Sequence, residues 1–247
     1  MNIGVRLAYP AKNQFDWGEA LKEYSAVGEI ELAFYLPEDF YKIDPEEVCL
    51  SILEQKIKVS SIHLPHIDFI KPYLIGDVLS KISLMGKKVN CNLLVAHPNF
   101  GRFQDFEEKS LNFLNELLEK YDLEFCWETF SSKRRIFHTL EGLSIFCRQN
   151  PRYYICYDTS HIGESQDKIL SDFNHYLSFV KVIHSSNFSS QKQHLPLWSS
   201  EGILNFTEIF NFLRKKEYSG TIILEYLPEF HTWLIPDCLK LKEKLTV

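Results

Sequence analysis

Along the chain, short apolar runs rich in β-branched and aromatic residues alternate with longer stretches in which apolar residues recur every three to four positions. The first pattern is that of strands buried on both faces, and the second that of amphipathic helices. The strand candidates are NIGVRLA, EIELAFY, KVSSIH, NLLVAH, LEFCWE, YYICYD, FVKVIH and TIILEY. Between them stand FDWGEALKEYSAV, DPEEVCLSILEQK, DVLSKISLMGKKV, FEEKSLNFLNELLEKY, TLEGLSIFCRQN, DKILSDFNHYLSF and NFTEIFNFLRKKEY, and PDCLKLKEKL follows the last strand. Eight such alternations predict the α/β class and a single (β/α)8 TIM barrel. No linker rich in Pro, Gly or Ser divides residues 1–247, so one barrel domain is expected to span them. An open doubly wound sheet would alternate too. There, however, a glycine-rich phosphate turn often follows the first strand, and this chain has LAYPAKNQF instead.

The polar residues that interrupt the strand pattern fall at the strands' ends. Strands three to seven end in His63, His97, Glu128, Asp158 and His184, and the eighth carries Glu225. In a barrel the carboxyl ends of all strands meet at one mouth, so residues about 30 positions apart in sequence converge there. Taken singly, each has a structural explanation: a histidine at a strand end is commonly a hydrogen-bonded structural residue, and DTSH at 158–161 reads as a turn with local side-chain capping. Six metal-ligand types on six consecutive strands point instead to one site. A cation there would offset the repulsion between Glu128, Asp158 and Glu225.

Charge and composition narrow the setting. With 27 Lys and Arg against 33 Asp and Glu, the formal charge of −6 offers no global attraction to nucleic acid or to an anionic membrane. The N-terminal MNIGVRLAYP lacks the apolar stretch of a signal peptide, and no run of about 18 apolar residues occurs, so a cytoplasmic protein without a membrane partner is expected. The six cysteines form no CxxC pair and lie largely in apolar runs, as reduced core thiols do. No GxSxG elbow, P-loop or dinucleotide fingerprint is present. The basic run KRR at 133–135 reads as a solvated helix start, with contact to a phosphate as the alternative. Phe34, Tyr35, Phe130, Trp198, Tyr226 and Trp233 lie at or beyond strand ends, as rim packing or as an apolar wall for a ring-shaped substrate.

Over nearly its whole length the chain resembles the xylose isomerase-like barrel superfamily of sugar isomerases, sugar epimerases and endonuclease IV-type nucleases. The resemblance is carried by SIHLPH, LVAHPNFG, CWETF, YDTSHIG, VIHSSN, QHLPLWSSEGILNF and GTIILEY. In the isomerase and epimerase branch it implies one divalent ion, Mn²⁺, Mg²⁺, Co²⁺ or Zn²⁺, held by Glu128, Asp158, His184 and Glu225. Glu128 and Glu225 are then the candidates for removing and returning a proton beside the carbonyl of a small sugar or polyol-like substrate. His63, His161, His194 and Trp198 are the candidates for contacting that substrate. In the nuclease branch the resemblance implies three zinc ions and hydrolysis of a phosphodiester, with His63, His97, Glu128, Asp158, His161, His184, His194 and Glu225 matching ligand positions. His63 and His97 would then supply a second metal position.

Several residues depart from the family pattern. Lys192 stands where an Asp is placed two residues before His194, which leaves the third zinc position short of a carboxylate. Asn187 replaces a frequent Asp and is expected to orient a ligand through its amide. Trp198 and Ser200 occupy the usual glycines of the loop after the seventh strand, and His66 is an addition with a loop or supporting role. The expectation is a metal-dependent isomerase or epimerase, with a zinc phosphoesterase as the alternative and a lyase or dehydratase on a related polyol as a third reading. The resemblance also implies pairing into a homodimer through the helical shell.

Overall fold

The alternating pattern closes into a barrel. In the computed structural model, which describes residues 1–8, 16–162 and 164–246, eight strands pair in parallel, each with its sequence neighbours, and the eighth closes on the first. They are β1 (Asn2–Ala8), β2 (Glu29–Ala33), β3 (Lys58–His63), β4 (Leu93–Ala96), β5 (Glu124–Glu128), β6 (Tyr153–Asp158), β7 (Val180–Ser185) and β8 (Thr221–Leu224). The shell consists of α1 (Trp17–Tyr24), α2 (Pro45–Glu54), α3 (Gly76–Lys88), α4 (Phe103–Tyr121), α5 (Leu140–Gln149), the short α6 (Thr159–Ile162), α7 (Gln166–Tyr176), α8 (Phe206–Lys215) and α9 (Leu234–Thr246). Phe15, the expected start of the first helix, and the segment after β1 that lacks a glycine-rich turn (residues 9–15) lie outside the described residues.

Local chemistry sets the helix starts. Asp16, Asp44, Thr139, Ser165 and Asn205 each accept a hydrogen bond from a first-turn amide of the helix they precede, satisfying a donor that would otherwise have no partner. Since α5 begins at Leu140, the KRR run lies in the β5–α5 loop and not at a helix start, contrary to the sequence reading. No described helix is long and apolar enough to cross a membrane. All six cysteines are buried and free.

Period two along each strand sorts side chains into an outer face under the helices and an inner face in the lumen. On the outer face Trp127 packs edge-on against Phe69 and Phe106. The inner face is layered. Val95, Cys126, Cys156, Val182 and Ile223 form an apolar cluster across β4 to β8. Two residues further along the same strands come His97, Glu128, Asp158, His184 and Glu225, so the apolar layer is the floor of the polar one. On β1 to β3 the floor layer is polar instead: Arg6 pairs in register with Glu31, and Glu31 with Ser61.

Strand limits differ slightly from those expected. His97 and Glu225 stand one residue beyond β4 and β8, and His184 one residue inside the end of β7. The ladder stops where the mouth loops turn away, while the alternation that aims these side chains inward continues past it.

Candidate metal centre

Glu128 lies at the centre of the mouth, fully buried. His63 Nε2 lies 3.0 Å from its Oε2, with His97 Nε2 and His184 Nδ1 each at 3.3 Å. His161 Nδ1 comes within 2.7 Å of Oε1 but off the line that a hydrogen bond requires. Around His184 Nδ1 stand carboxylate oxygens of Glu128, Glu225 (3.2 Å) and Asp158 (3.9 Å). Donor atoms of Glu128, Asp158, His184 and Glu225 all fall within 4.8 Å of one another, as do those of His63, His97 and Glu128, and those of Asp158, His161 and His194.

The hydrogen bonds behind these groups turn their lone pairs inward. His63 Nδ1 faces the Leu64 carbonyl at 3.0 Å, which makes Nδ1 the donor and leaves the Nε2 lone pair toward Glu128. His184 Nε2 lies 3.1 Å from Glu31, so Nδ1 is the nitrogen turned to the three carboxylates. Asp158 divides its two oxygens. Its Oδ1 accepts from the Ser160 and His161 amides at 2.7 and 2.8 Å and caps α6, whereas the buried Oδ2 has no hydrogen-bond partner. The capping reading of DTSH therefore holds for Oδ1, and it leaves Oδ2 free. Glu128 Oε1, Glu225 Oε2 and His161 Nδ1 are likewise buried without a hydrogen-bond partner. Three buried carboxylate oxygens without hydrogen bonds call for positive charge beside them, and with the imidazoles around them their chemistry fits a divalent ion.

Charge balance shows the same demand. Burial opposes ionisation of Glu128, yet His97, His184 and His161 hold its carboxyl well below the usual range. Burial also opposes the His161 cation, and Asp158 and Glu128 nevertheless raise it to about 9. His63 goes the other way, to about 4, because burial and the charge of Arg6 both act against its cation. Protons on His161 and His184 supply positive charge that a bound ion would replace.

Sequence comparison agrees with the fold: residues 79–234, more than half of the chain, match the family described as the xylose isomerase-like TIM barrel. The chain belongs to this family. Among solved structures it is similar to the apo form of 3-keto-D-glucoside 4-epimerase YcjR from E. coli, with a TM-score of 0.74, 16% identity and 100% of each chain covered. An AP endonuclease, family 2, from Brucella melitensis superposes with a TM-score of 0.69 at 16% identity, over 94% of this chain and 97% of that one. The IOLI protein with a bound zinc atom does so with 0.70 at 13%, over 99% and 96%. At these identities the likeness concerns the fold alone. No curated protein matches the sequence.

Within this xylose isomerase-like barrel, several residues are placed differently from the sequence reading. Asn187 does not orient a ligand: its Nδ2 donates to the Leu197 and Leu204 carbonyls, and its Oδ1 accepts from the Phe188 and Leu204 amides. All its hydrogen-bonding capacity goes into holding the loop after β7, and Gly202 packs so closely on it that a Cβ would overlap the amide. Trp198 is not among the clustered residues, because its ring lies under Lys240 and Lys244 of α9. Lys192 places no cation at the third group, since its ammonium pairs with Glu229 at 3.0 Å on the exposed rim. His194 does reach that group. Its backbone is left-handed (φ 53°), a strained conformation for a non-glycine residue, and its Nε2 lies 3.1 Å from His161 Nε2. His66 stands behind His97, with their Nδ1 atoms 3.3 Å apart.

Arg6 and Glu31 complete the centre and were not foreseen. Arg6 Nε donates to Glu31 Oε1 at 2.9 Å, its Nη1 pairs with Glu225 Oε1, and its Nη2 lies 3.2 Å from His184 Nδ1. Ser61 Oγ holds the other Glu31 oxygen at 2.7 Å. Burial works against the Arg6 charge, but Glu225 and Glu31 more than offset it. Substituting Arg6→Gln leaves both carboxylates buried without their counter-ion, so unfolding of the metal-free protein should become easier by about 3–5 kcal/mol. Urea denaturation measures this, and a loss below about 1 kcal/mol would contradict the pairing.

Proposed function

We infer that the protein is a divalent-metal-dependent isomerase or epimerase of a sugar or polyol-like substrate, working by proton transfer beside a carbonyl. The observation that carries this reading is the meeting of Glu128, Asp158, His184 and Glu225, in which each glutamate keeps one buried oxygen with no hydrogen bond. These four residues would hold the ion. When bound there, a divalent ion polarises a carbonyl and so acidifies the neighbouring C–H bond.

The chain's own residues supply the remaining steps. Glu128 Oε1 takes the proton from the carbon and Glu225 Oε2 returns it, or the reverse for the opposite hand of substrate. The Arg6 contact to Glu225 Oε1 fixes that carboxylate so that only Oε2 faces the cluster. His161, in α6 and stacked on Phe130 with centroids 4.0 Å apart, would hold a substrate hydroxyl or carbonyl oxygen.

A second reading, a zinc-dependent phosphoesterase, is favoured by the two additional groups that share ligands with the first: His63, His97 and Glu128, and Asp158, His161 and His194. Metal content decides between the two. The proposed function expects about one ion per chain in untagged protein, retained through gel filtration. Two or three zinc ions per chain, together with release of product from a phosphoester panel, would transfer the assignment to the hydrolase.

A further inference from the structure

Beside the metal cluster a cavity of about 470 Å³ opens among the β3–α3, β4–α4 and β5–α5 loops, lined by His66, Asp68, His97, Asn99, Phe100 and Arg135 among others. His97 stands on its wall and also belongs to the metal cluster, so one side chain links the two. Arg135 is the notable member. Its guanidinium carbon lies 3.8 Å from the centroid of Phe130 and 4.6 Å from that of Phe100, held against both rings. Phe130 in turn stacks on His161. Nη1 donates to the Pro98 carbonyl at 2.5 Å, yet Nε is buried with no partner, and the guanidinium pairs with no carboxylate among the described residues. Nε and Nη2 form one edge of the guanidinium, the fork that matches two oxygens of a carboxylate or phosphate.

The surroundings make this a shaped site. The β4–α4 and β5–α5 loops are joined by Gly101 N to Arg134 O and Ile136 N to Asn99 O, each at 2.9 Å, a short bridge that holds Arg135 beside Phe100. Asp68, the acid on the wall, is engaged by the Ile70 amide at 3.0 Å and by Asn99 Nδ2 at 2.5 Å. That second bond fixes the Asn99 amide and leaves its Oδ1 buried and unpaired, an acceptor suited to a hydroxyl group. A cationic fork and a free acceptor, one aromatic ring away from His161, describe a receptor for a hydroxylated anion.

We propose that this cavity takes the anionic group, a carboxylate or a phosphate, of a small sugar acid or sugar phosphate, with Arg135 as the residue that selects it. The placing of the carbonyl end at the metal cluster rests on the proposed function; the preference for an anion does not. Calorimetric titration of the full, metal-loaded chain with D-fructose, D-fructose 6-phosphate and 5-keto-D-gluconate tests it. At least one of the two anions binds about tenfold or more tighter than D-fructose, the factor that a charge-assisted pair supplies. Arg135→Gln removes that advantage while leaving D-fructose affinity in place, and Arg135→Lys keeps part of it. Which anion gains separates carboxylate from phosphate.

Equal affinity for all three probes in the wild type, or an advantage that survives Arg135→Gln, overturns the proposal. So does equal weakening of all three probes, which would mark Arg135 as a support for its loop. Tighter binding of an abasic oligonucleotide than of any sugar, lost in Arg135→Gln, assigns the fork to a nucleic-acid phosphate and overturns the small-sugar reading. If the anion preference stands while no ketose exchanges its proton, the proposed function fails and the anion site remains.

Discussion

Replacing Glu128 by Gln lowers turnover of a responsive ketose by about 100-fold to 10,000-fold, the contribution of a positioned general base. The substitution keeps the shape of the side chain and one carbonyl-type oxygen but removes the lone pair that takes the proton. Because Glu128 also meets imidazole nitrogens of His63, His97, His161 and His184, part of any loss comes from weaker metal binding. Assays at saturating metal separate the two effects: the metal-binding part is restored, and the loss in kcat persists. Glu225→Gln is expected to behave alike, with an added cost in stability because Arg6 loses one of its two anionic partners. Turnover within about threefold of wild type for both variants would contradict their roles in proton transfer.

The second large effect concerns metal retention. Asp158→Ala and His184→Ala each remove a donor atom from the four-residue group, and bound metal after gel filtration should fall to roughly a tenth of wild type or less, beyond what loss of an outer partner causes. The barrel should remain folded, because neither side chain belongs to the apolar packing between strands and helices. Asp158 carries the extra duty of capping α6, which Asp158→Asn isolates. An amide oxygen still accepts from the Ser160 and His161 amides, while the charge on the inward oxygen is gone. Asn therefore retains the wild-type melting temperature without the metal, and Ala loses both the metal and about 1 kcal/mol. Elemental analysis and thermal melts on the same samples report the two quantities. Unchanged metal in Asp158→Ala and His184→Ala would contradict the assignment of ligands.

The sequence displayed the strand ends clearly because a barrel imposes period two up to the mouth, so that a polar residue closing an apolar run stands out. His63, Glu128 and Asp158 fall on strand termini, and His97, His184 and Glu225 within one residue of them. Arg6 and Glu31 escaped notice because they lie mid-strand, where a polar residue reads as a surface position. Their signal was present all the same. Each occupies the inward phase of its strand one layer below the mouth, and paired opposite charges on adjacent inward positions of β1 and β2 have no other place to go. For Asn187, Trp198 and Lys192 the cause is different. Each departs from the family pattern, and the direction of its side chain depends on loop packing, against Leu204, Lys240 and Glu229 respectively, that no local spacing encodes. The KRR run lies a few residues before its expected helix, on a loop where Arg135 lines a cavity.

Deuterium wash-in reads proton transfer beside a carbonyl without knowledge of the product. Incubated with a panel of ketoses and sugar acids in deuterated water, the metal-loaded protein should introduce deuterium at the carbon beside the carbonyl of at least one substrate, as read by proton NMR. The signal should vanish on chelation and in Glu128→Gln, since both the ion's polarising effect and the carboxylate base are required. No exchange with any member of the panel, alongside zinc-dependent cleavage of a phosphoester or of abasic-site DNA by the same preparation, would rule out the isomerase or epimerase in favour of a hydrolase.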